Sequence, residues 1–172
     1  MKIIILGYMA SGKSFVGRVL SKKMALPFID LDNFIEEKEA MSIPEIFKKQ
    51  GEIYFRTIEN KYLKELLSNQ EDYVLSLGGG TPCYADNMEH IKNQKDTVSF
   101  YLKASINTIV ERLKKEKDQR PLVSNLKDKD LNEFIAKHLF ERNGFYDQAS
   151  QTIKIDQKDI ETIIEEIVQI LN

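Results

Sequence analysis

The stretch Gly7-Tyr8-Met9-Ala10-Ser11-Gly12-Lys13-Ser14 constrains this chain more than any other feature. It matches G-x-x-x-x-G-K-S in full, the signature of a phosphate-binding loop. The residues before it, Lys2-Ile3-Ile4-Ile5-Leu6, are apolar and mostly β-branched, and read as a central parallel strand. Residues 14–25 read as the helix after it. A strand, a glycine turn and a helix N-terminus in that order aim backbone N–H groups and a positive dipole end at an anion. In such a loop the lysine, here Lys13, reaches the β- and γ-phosphates, and the Ser14 hydroxyl ligates Mg²⁺. A chance pair of glycines would not carry the motif and both flanks together. The loop therefore predicts ATP binding along Ala10, Ser11, Gly12, Lys13, Ser14 and Phe15.

The remaining pattern alternates short apolar runs with helical periods, which predicts one α/β domain with a parallel sheet covered on both faces. Phe28-Ile29 is a second strand ending at Asp30. Ser42-Ile43-Pro44-Glu45 is a capping box with proline in the first turn, opening a helix that runs to Gln50 and stops at Gly51. A further helix carries Phe55, Tyr62, Leu63, Leu66 and Leu67. Tyr73–Leu77 is a third strand, closed by Gly78-Gly79-Gly80. Asp86 is expected to cap a helix to about Asn93. Thr97–Leu102 is a fourth strand, and Ser105 caps the helix that follows. The charged, proline-bearing segment 115–128 reads as an exposed lid inside the domain. A helix over about 130–143, a fifth strand at 152–155 and a last helix striped with Ile160, Ile163, Ile164, Ile167, Val168 and Leu171 complete the chain.

Composition narrows the class. A net charge of −2 offers no general attraction to nucleic acid. No apolar run reaches the ~18 residues of a membrane helix, and the run at Met1–Leu6 is too short for a secretory core. Cys83 is the only cysteine, which excludes an intrachain disulfide. These features predict a cytoplasmic protein without membrane or nucleic-acid partners. The Asn-Lys-x-Asp and Asp-x-x-Gly motifs of regulatory GTPases do not occur. The third strand runs into glycines rather than into the acidic residue of motor ATPases. What remains is a small-molecule kinase.

Its acceptor site should lie among loops at the carboxyl ends of the strands. Asp30 and Asp32 stand two residues apart at the end of the second strand. In extended chain both would face the crevice, one for the hydration shell of Mg²⁺ and one for the acceptor hydroxyl. Asp32 capping the next helix is the competing reading. Gly78, Gly79 and Gly80 would let backbone lie against a ligand. Arginine forks suit carboxylate and phosphate, and Arg56, Arg112, Arg120 and Arg142 are the candidates. His90, His138 and Cys83 read as structural.

Taken in order and spacing, the loop Gly7–Ser14, Phe28-Ile29-Asp30-Leu31-Asp32, Phe55-Arg56 with Glu59, Leu75–Gly80, Arg120-Pro121-Leu122, and Arg142 with Tyr146 closely resemble the shikimate kinase family over nearly the whole chain. The resemblance implies a three-layer P-loop fold of nucleoside-monophosphate-kinase type, with a five-stranded parallel sheet in order 2-3-1-4-5. It implies transfer of the ATP γ-phosphate to the 3-hydroxyl of shikimate, with Mg²⁺ as cofactor, ATP and shikimate as partners, and a monomer. The substrate-binding region would span about 32–61 and the lid about 115–128 of a single domain, 1–172. Carried over by motif, Asp32 contacts shikimate hydroxyls, and Arg56 and Arg142 clamp its carboxylate. The Gly78–Gly80 backbone lines the same pocket. Ser14 and, through water, Asp30 serve Mg²⁺. Lys13, Asp32 and Arg120 are catalytic, Arg120 reaching the phosphates from the lid. Arg112 stacks on adenine, and Gln157 in the loop after the last strand joins the nucleotide site. The family shows Arg-x-Pro-Leu-Tyr where this chain has Arg142-Asn143-Gly144-Phe145-Tyr146, so that turn is expected to be looser. A gluconate-kinase-like enzyme and a nucleotide-binding protein without turnover are the alternatives.

Overall fold

The structure is a computed structural model and describes residues 1–116 and 123–172. Of the lid expected at about 115–128, residues 117–122, Arg120 among them, fall outside the described residues.

Five strands, β1 (Lys2–Leu6), β2 (Phe28–Asp30), β3 (Tyr73–Ser76), β4 (Thr97–Lys103) and β5 (Gln151–Lys154), form one sheet in the order β2-β3-β1-β4-β5. Every pairing is parallel. The order is the one the resemblance implied. β1 is central because its apolar residues can be buried on both sides: Ile3, Ile4, Ile5 and Leu6 are all fully buried. Alternation in the strand divides them between two cores. Ile3 and Ile5 pack with Val16, Leu20, Ile163 and Ile167 on one face. Ile4 and Leu6 pack with Leu63, Leu66, Ile109 and Leu139 on the other.

The first face is covered by α1 (Lys13–Met24) and α7 (Ile160–Leu171). The second is covered by α2 (Leu31–Glu39), α3 (Ile43–Ser68), α4 (Asn87–Asn93), α5 (Ile106–Glu116) and α6 (Asp128–Tyr146). The box expected at Ser42 is present, with the Glu45 carboxylate accepting from the Ser42 N–H at 3.0 Å. At Gly51 the backbone leaves the helix (φ 85°, ψ 173°), so α3 is two helices across a kink, as the glycine predicted. Ser105 accepts from the Thr108 N–H at 3.2 Å and does cap α5.

Three local expectations are corrected. Asp86 stands at the head of α4 but makes no cap bond; its carboxylate instead accepts from the Asn60 side chain at 2.8 Å and pairs with His90 and Lys64. The helix expected to end near 143 continues one turn further, to Tyr146. Hence the segment without the family's proline is not a loosened turn: Arg142 and Tyr146 sit on one regular helix. Finally, Asp30 and Asp32 do not share an extended segment. β2 ends at Asp30, and Asp32 lies in the first turn of α2.

Candidate active site

The phosphate loop leaves β1 and turns into α1 at Gly12, whose φ of 90° is a left-handed conformation that glycine adopts without a Cβ penalty. No side chain caps α1, and its first turn holds no acidic residue. Its N-terminal N–H groups and dipole end can therefore serve an anion. The Ser11 hydroxyl is buried at 1% exposure and has no hydrogen-bond partner among the described residues. A buried orphan hydroxyl is costly unless a ligand satisfies it, and a phosphate oxygen would. The Lys13 ammonium rests on the Tyr8 carbonyl at 3.0 Å, within the loop it would serve.

Gly17 brings α1 close to β2: a Cβ there would meet the Phe28 ring at 2.5 Å. This approach places the Ser14 hydroxyl against Asp30, to which it donates at 2.6 Å. The other Asp30 oxygen accepts from the N–H groups of Asp32 (3.1 Å) and Asn33 (3.4 Å). Asp30, not Asp32, is thus the helix cap, and one carboxylate both anchors α2 and faces Ser14. A hydroxyl beside a carboxylate is a hard oxygen pair that fits Mg²⁺, which takes one or two protein oxygens with waters and phosphates. Among the described residues no group of three or more His, Cys, Asp or Glu side chains forms an all-protein cage.

Two cavities open from this centre. The larger, about 620 Å³, is lined by the unbroken run Met9–Val16 with Arg18, Asp30, Asp32, Arg112, Lys158 and Ile160. Arg112 reaches across to the Ala10 carbonyl at 3.0 Å. Lys158, beside Gln157, lines this cavity and pairs with Glu166. Gln157, expected there, is not among the described lining residues. The smaller cavity, about 270 Å³, is lined by Met9, Asp32, Ile43, Phe47, Phe55, Arg56, Glu59, Gly78, Gly79, Gly80 and Arg142. Met9, Asp32, Gly78 and Gly79 belong to both. Asp32 therefore stands where the two cavities meet.

The Asp32 carboxyl is pushed up to about 6, first by burial, then by the neighbouring carboxylates of Asp30 and Glu59, with Lys13 pulling it down and Glu36 pushing it up. A carboxylate with this poise can take a proton near neutral pH.

The two cavity arginines are held differently. Arg56 donates to Glu59 at 2.8 Å, lies 3.8 Å from a Glu52 oxygen, and stacks on Tyr84 at 3.8 Å from the ring centroid. Glu59 is only 1% exposed and also accepts from the Thr81 hydroxyl at 2.8 Å. Arg142 pairs with no carboxylate among the described residues; the Tyr146 hydroxyl stands beside it, and its charge is felt by Tyr8, Cys83 and His138. Tyr146 is fully buried and donates to the Gly79 carbonyl at 2.6 Å.

The glycines have a reason that sequence reasoning did not supply. A Cβ on Gly78 would meet Asp32 Oδ1 at 2.9 Å, and one on Gly80 would meet Arg56 Nη2 at 2.7 Å. These side chains fill the space the missing Cβ atoms leave, which aims both into the cavity. Glu59, Tyr146 and the Tyr8–His138 pair also carried no assigned role in the sequence reading. The i, i+3 spacing of Arg56 and Glu59 on a helix was the one available signal.

The family model described as Shikimate kinase matches residues 9–172. A shikimate kinase from Flavobacterium psychrophilum is 51% identical over 171 residues, covering 99% of this chain and 98% of the relative. The 1.7 Å crystal structure of shikimate kinase from Bacteroides thetaiotaomicron superposes with a TM-score of 0.91 at 34% identity, covering 99% of this chain and 98% of that one. Shikimate kinase from Acinetobacter baumannii in complex with shikimate superposes with a TM-score of 0.86 at 32% identity, covering 99% of this chain and 92% of that one.

Proposed function

The chain belongs to the shikimate kinase family, and from that premise we propose how its two joined cavities transfer the γ-phosphate of ATP to the 3-hydroxyl of shikimate, giving shikimate 3-phosphate and ADP. The observation that carries the assignment of roles is the position of Asp32, the one carboxylate among the described residues that lines both cavities.

The larger cavity takes ATP. The loop N–H groups, Ser11 and Lys13 hold the phosphates, and Arg112 closes over the nucleoside side. For Lys13 this means exchanging the Tyr8 carbonyl for a phosphate oxygen. Ser14 and Asp30 would hold Mg²⁺, Asp30 through water, and the ion would neutralise charge on the phosphates. The smaller cavity takes shikimate, with its carboxylate between the Arg56 and Arg142 guanidiniums and its hydroxyls at Asp32 and the glycine turn. Phosphoryl transfer has a loose transition state, so positioning and charge neutralisation dominate. Asp32 orients the attacking hydroxyl and receives its proton. Arg120 lies outside the described residues, and its role at the phosphates is carried by the family motif alone. No described helix is long and apolar enough to cross a membrane.

Asp32→Asn keeps the size but cannot take the proton. It should lower kcat about 100-fold, the lower end of what a positioned base contributes, while ADP affinity holds. Asp30→Asn should instead raise the Mg²⁺ concentration needed for turnover. A coupled ADP assay with shikimate, run against Mg²⁺ concentration for both variants, decides between the roles. Rescue of the Asp32 variant by high Mg²⁺ would reverse them.

A further inference from the structure

Arg142 sits on α6 midway between two residues that tie this helix to the loops around it. One turn before it, His138 Nδ1 meets the Tyr8 hydroxyl at 2.8 Å. One turn after it, the Tyr146 hydroxyl bonds the Gly79 carbonyl at 2.6 Å. Tyr8 is part of the phosphate loop and 2% exposed; Gly79 is part of the glycine turn. Helical neighbours four apart share a face, so both ties act on the face that carries Arg142.

The His138 tie is a built contact. Its ring packs edge-on against Tyr8 with centroids 5.5 Å apart, and against Phe134 at 5.4 Å. Arg142, with no carboxylate partner among the described residues, relies on its helix for its direction. We propose that His138 is a positioning residue for the acceptor site: by anchoring α6 to Tyr8 it aims the Arg142 fork at the acceptor carboxylate, and so sets affinity for a carboxylated acceptor rather than turnover. Burial and the nearby Arg142 charge hold the His138 imidazole below its ordinary pKa, and burial pushes the Tyr8 hydroxyl up to about 12. Both rings are therefore neutral near neutral pH, and a single neutral hydrogen bond joins them.

The proposal rests on Arg142 binding the acceptor carboxylate, and the experiment separates the two ideas. Steady-state constants and thermal midpoints are measured for the wild type and for His138→Phe, His138→Asn, Tyr8→Phe, the double variant His138→Phe/Tyr8→Phe, and Arg142→Lys. His138→Phe keeps the ring contacts but loses the bond. It should raise KM for shikimate about three- to tenfold, the effect of one neutral hydrogen bond, with kcat and KM for ATP within twofold. His138→Asn keeps a polar atom near the Nδ1 position but loses the ring. It should retain most of the affinity while melting lower. Tyr8→Phe should match the KM rise of His138→Phe, and the double variant should be no worse than either. A shikimate KM that follows the thermal midpoint instead of the hydrogen bond, or additive effects in the double variant, would overturn the proposal. If Arg142→Lys raises the shikimate KM and His138→Phe does not, the tie is refuted while the carboxylate assignment stands. If Arg142→Lys leaves that KM unchanged, both are refuted.

Discussion

The nucleotide cavity is built around one run of consecutive residues, Met9 to Val16, whereas the acceptor cavity gathers side chains from the phosphate loop, α2, both halves of α3, the glycine turn and α6. In the first, on the proposed reading, backbone N–H groups and a helix end do the binding, and side chains decorate it. In the second, each charged group is aimed by its surroundings: Arg56 by Glu59 and Tyr84, Arg142 by a helix that Tyr146 ties to the Gly79 carbonyl, and Asp32 by the space left at Gly78. A backbone site depends on local conformation and tolerates change in the distant fold. A side-chain site depends on packing, so residues that never touch the ligand should control it.

The largest break in this comparison should come from the charged side chain of the loop itself. Lys13→Ala removes the ammonium that faces the transferring phosphate and should cost about 100-fold or more in kcat. The measurement is kcat by ADP release, with circular dichroism to confirm folding. Turnover near the wild-type value would show that backbone groups alone neutralise the phosphate.

Gly80→Ala tests the other side of the contrast. Gly80 has an ordinary φ of −91°, so alanine adds no backbone strain there. Its Cβ would fall within 3.2 Å of three guanidinium atoms of Arg56, which the Glu59 bond keeps from yielding. The expected outcome is a rise of about tenfold in KM for shikimate, the loss of one charge-assisted hydrogen bond, with KM for ATP unchanged. Equal changes in both constants would mean that the two cavities are not independently built.

The smallest effect concerns stability. The Asp32 carboxyl is raised to about 6 from its ordinary value of 3.8. Between those values the folded chain keeps a proton that the unfolded chain has released. The protonated carboxyl therefore stabilises the fold at low pH, and this contribution is lost as pH rises through about 6. Asparagine has no charge to bury, so Asp32→Asn should be more stable than the wild type at pH 8, by about 1–2 kcal/mol after screening by water in the cavity. The gain should vanish below about pH 4. Thermal unfolding of both proteins across that range, without ligands, reads it directly. A variant that melts lower at pH 8 would show that Asp32 stabilises the fold and is not held there at its expense.

The conformation of the phosphate loop and its flanks was legible in the sequence because its determinants are neighbours in the chain. The apolar run of β1, the glycines and the lysine of one loop dictate strand, turn and helix start without help from elsewhere. The Ser42 box and the Gly51 break were legible for the same reason: each acts within a turn or so of its own position. The strand order was not locally encoded and entered through the family's motifs. At Asp30 and Asp32 local reasoning failed, because it treated the pair as one extended segment. The chain turns helical at Leu31, since Asp30 accepts from the N–H groups of Asp32 and Asn33. Only the tertiary structure decided that Gly78 and Gly80 make room for Asp32 and Arg56. It also decided that Tyr84 stacks on Arg56, and that His138 on α6 meets Tyr8 across 130 residues of chain. The physical reason is one of range. Backbone conformation follows from residues a few positions apart, whereas the direction of a buried charged side chain follows from whatever the fold packs beside it.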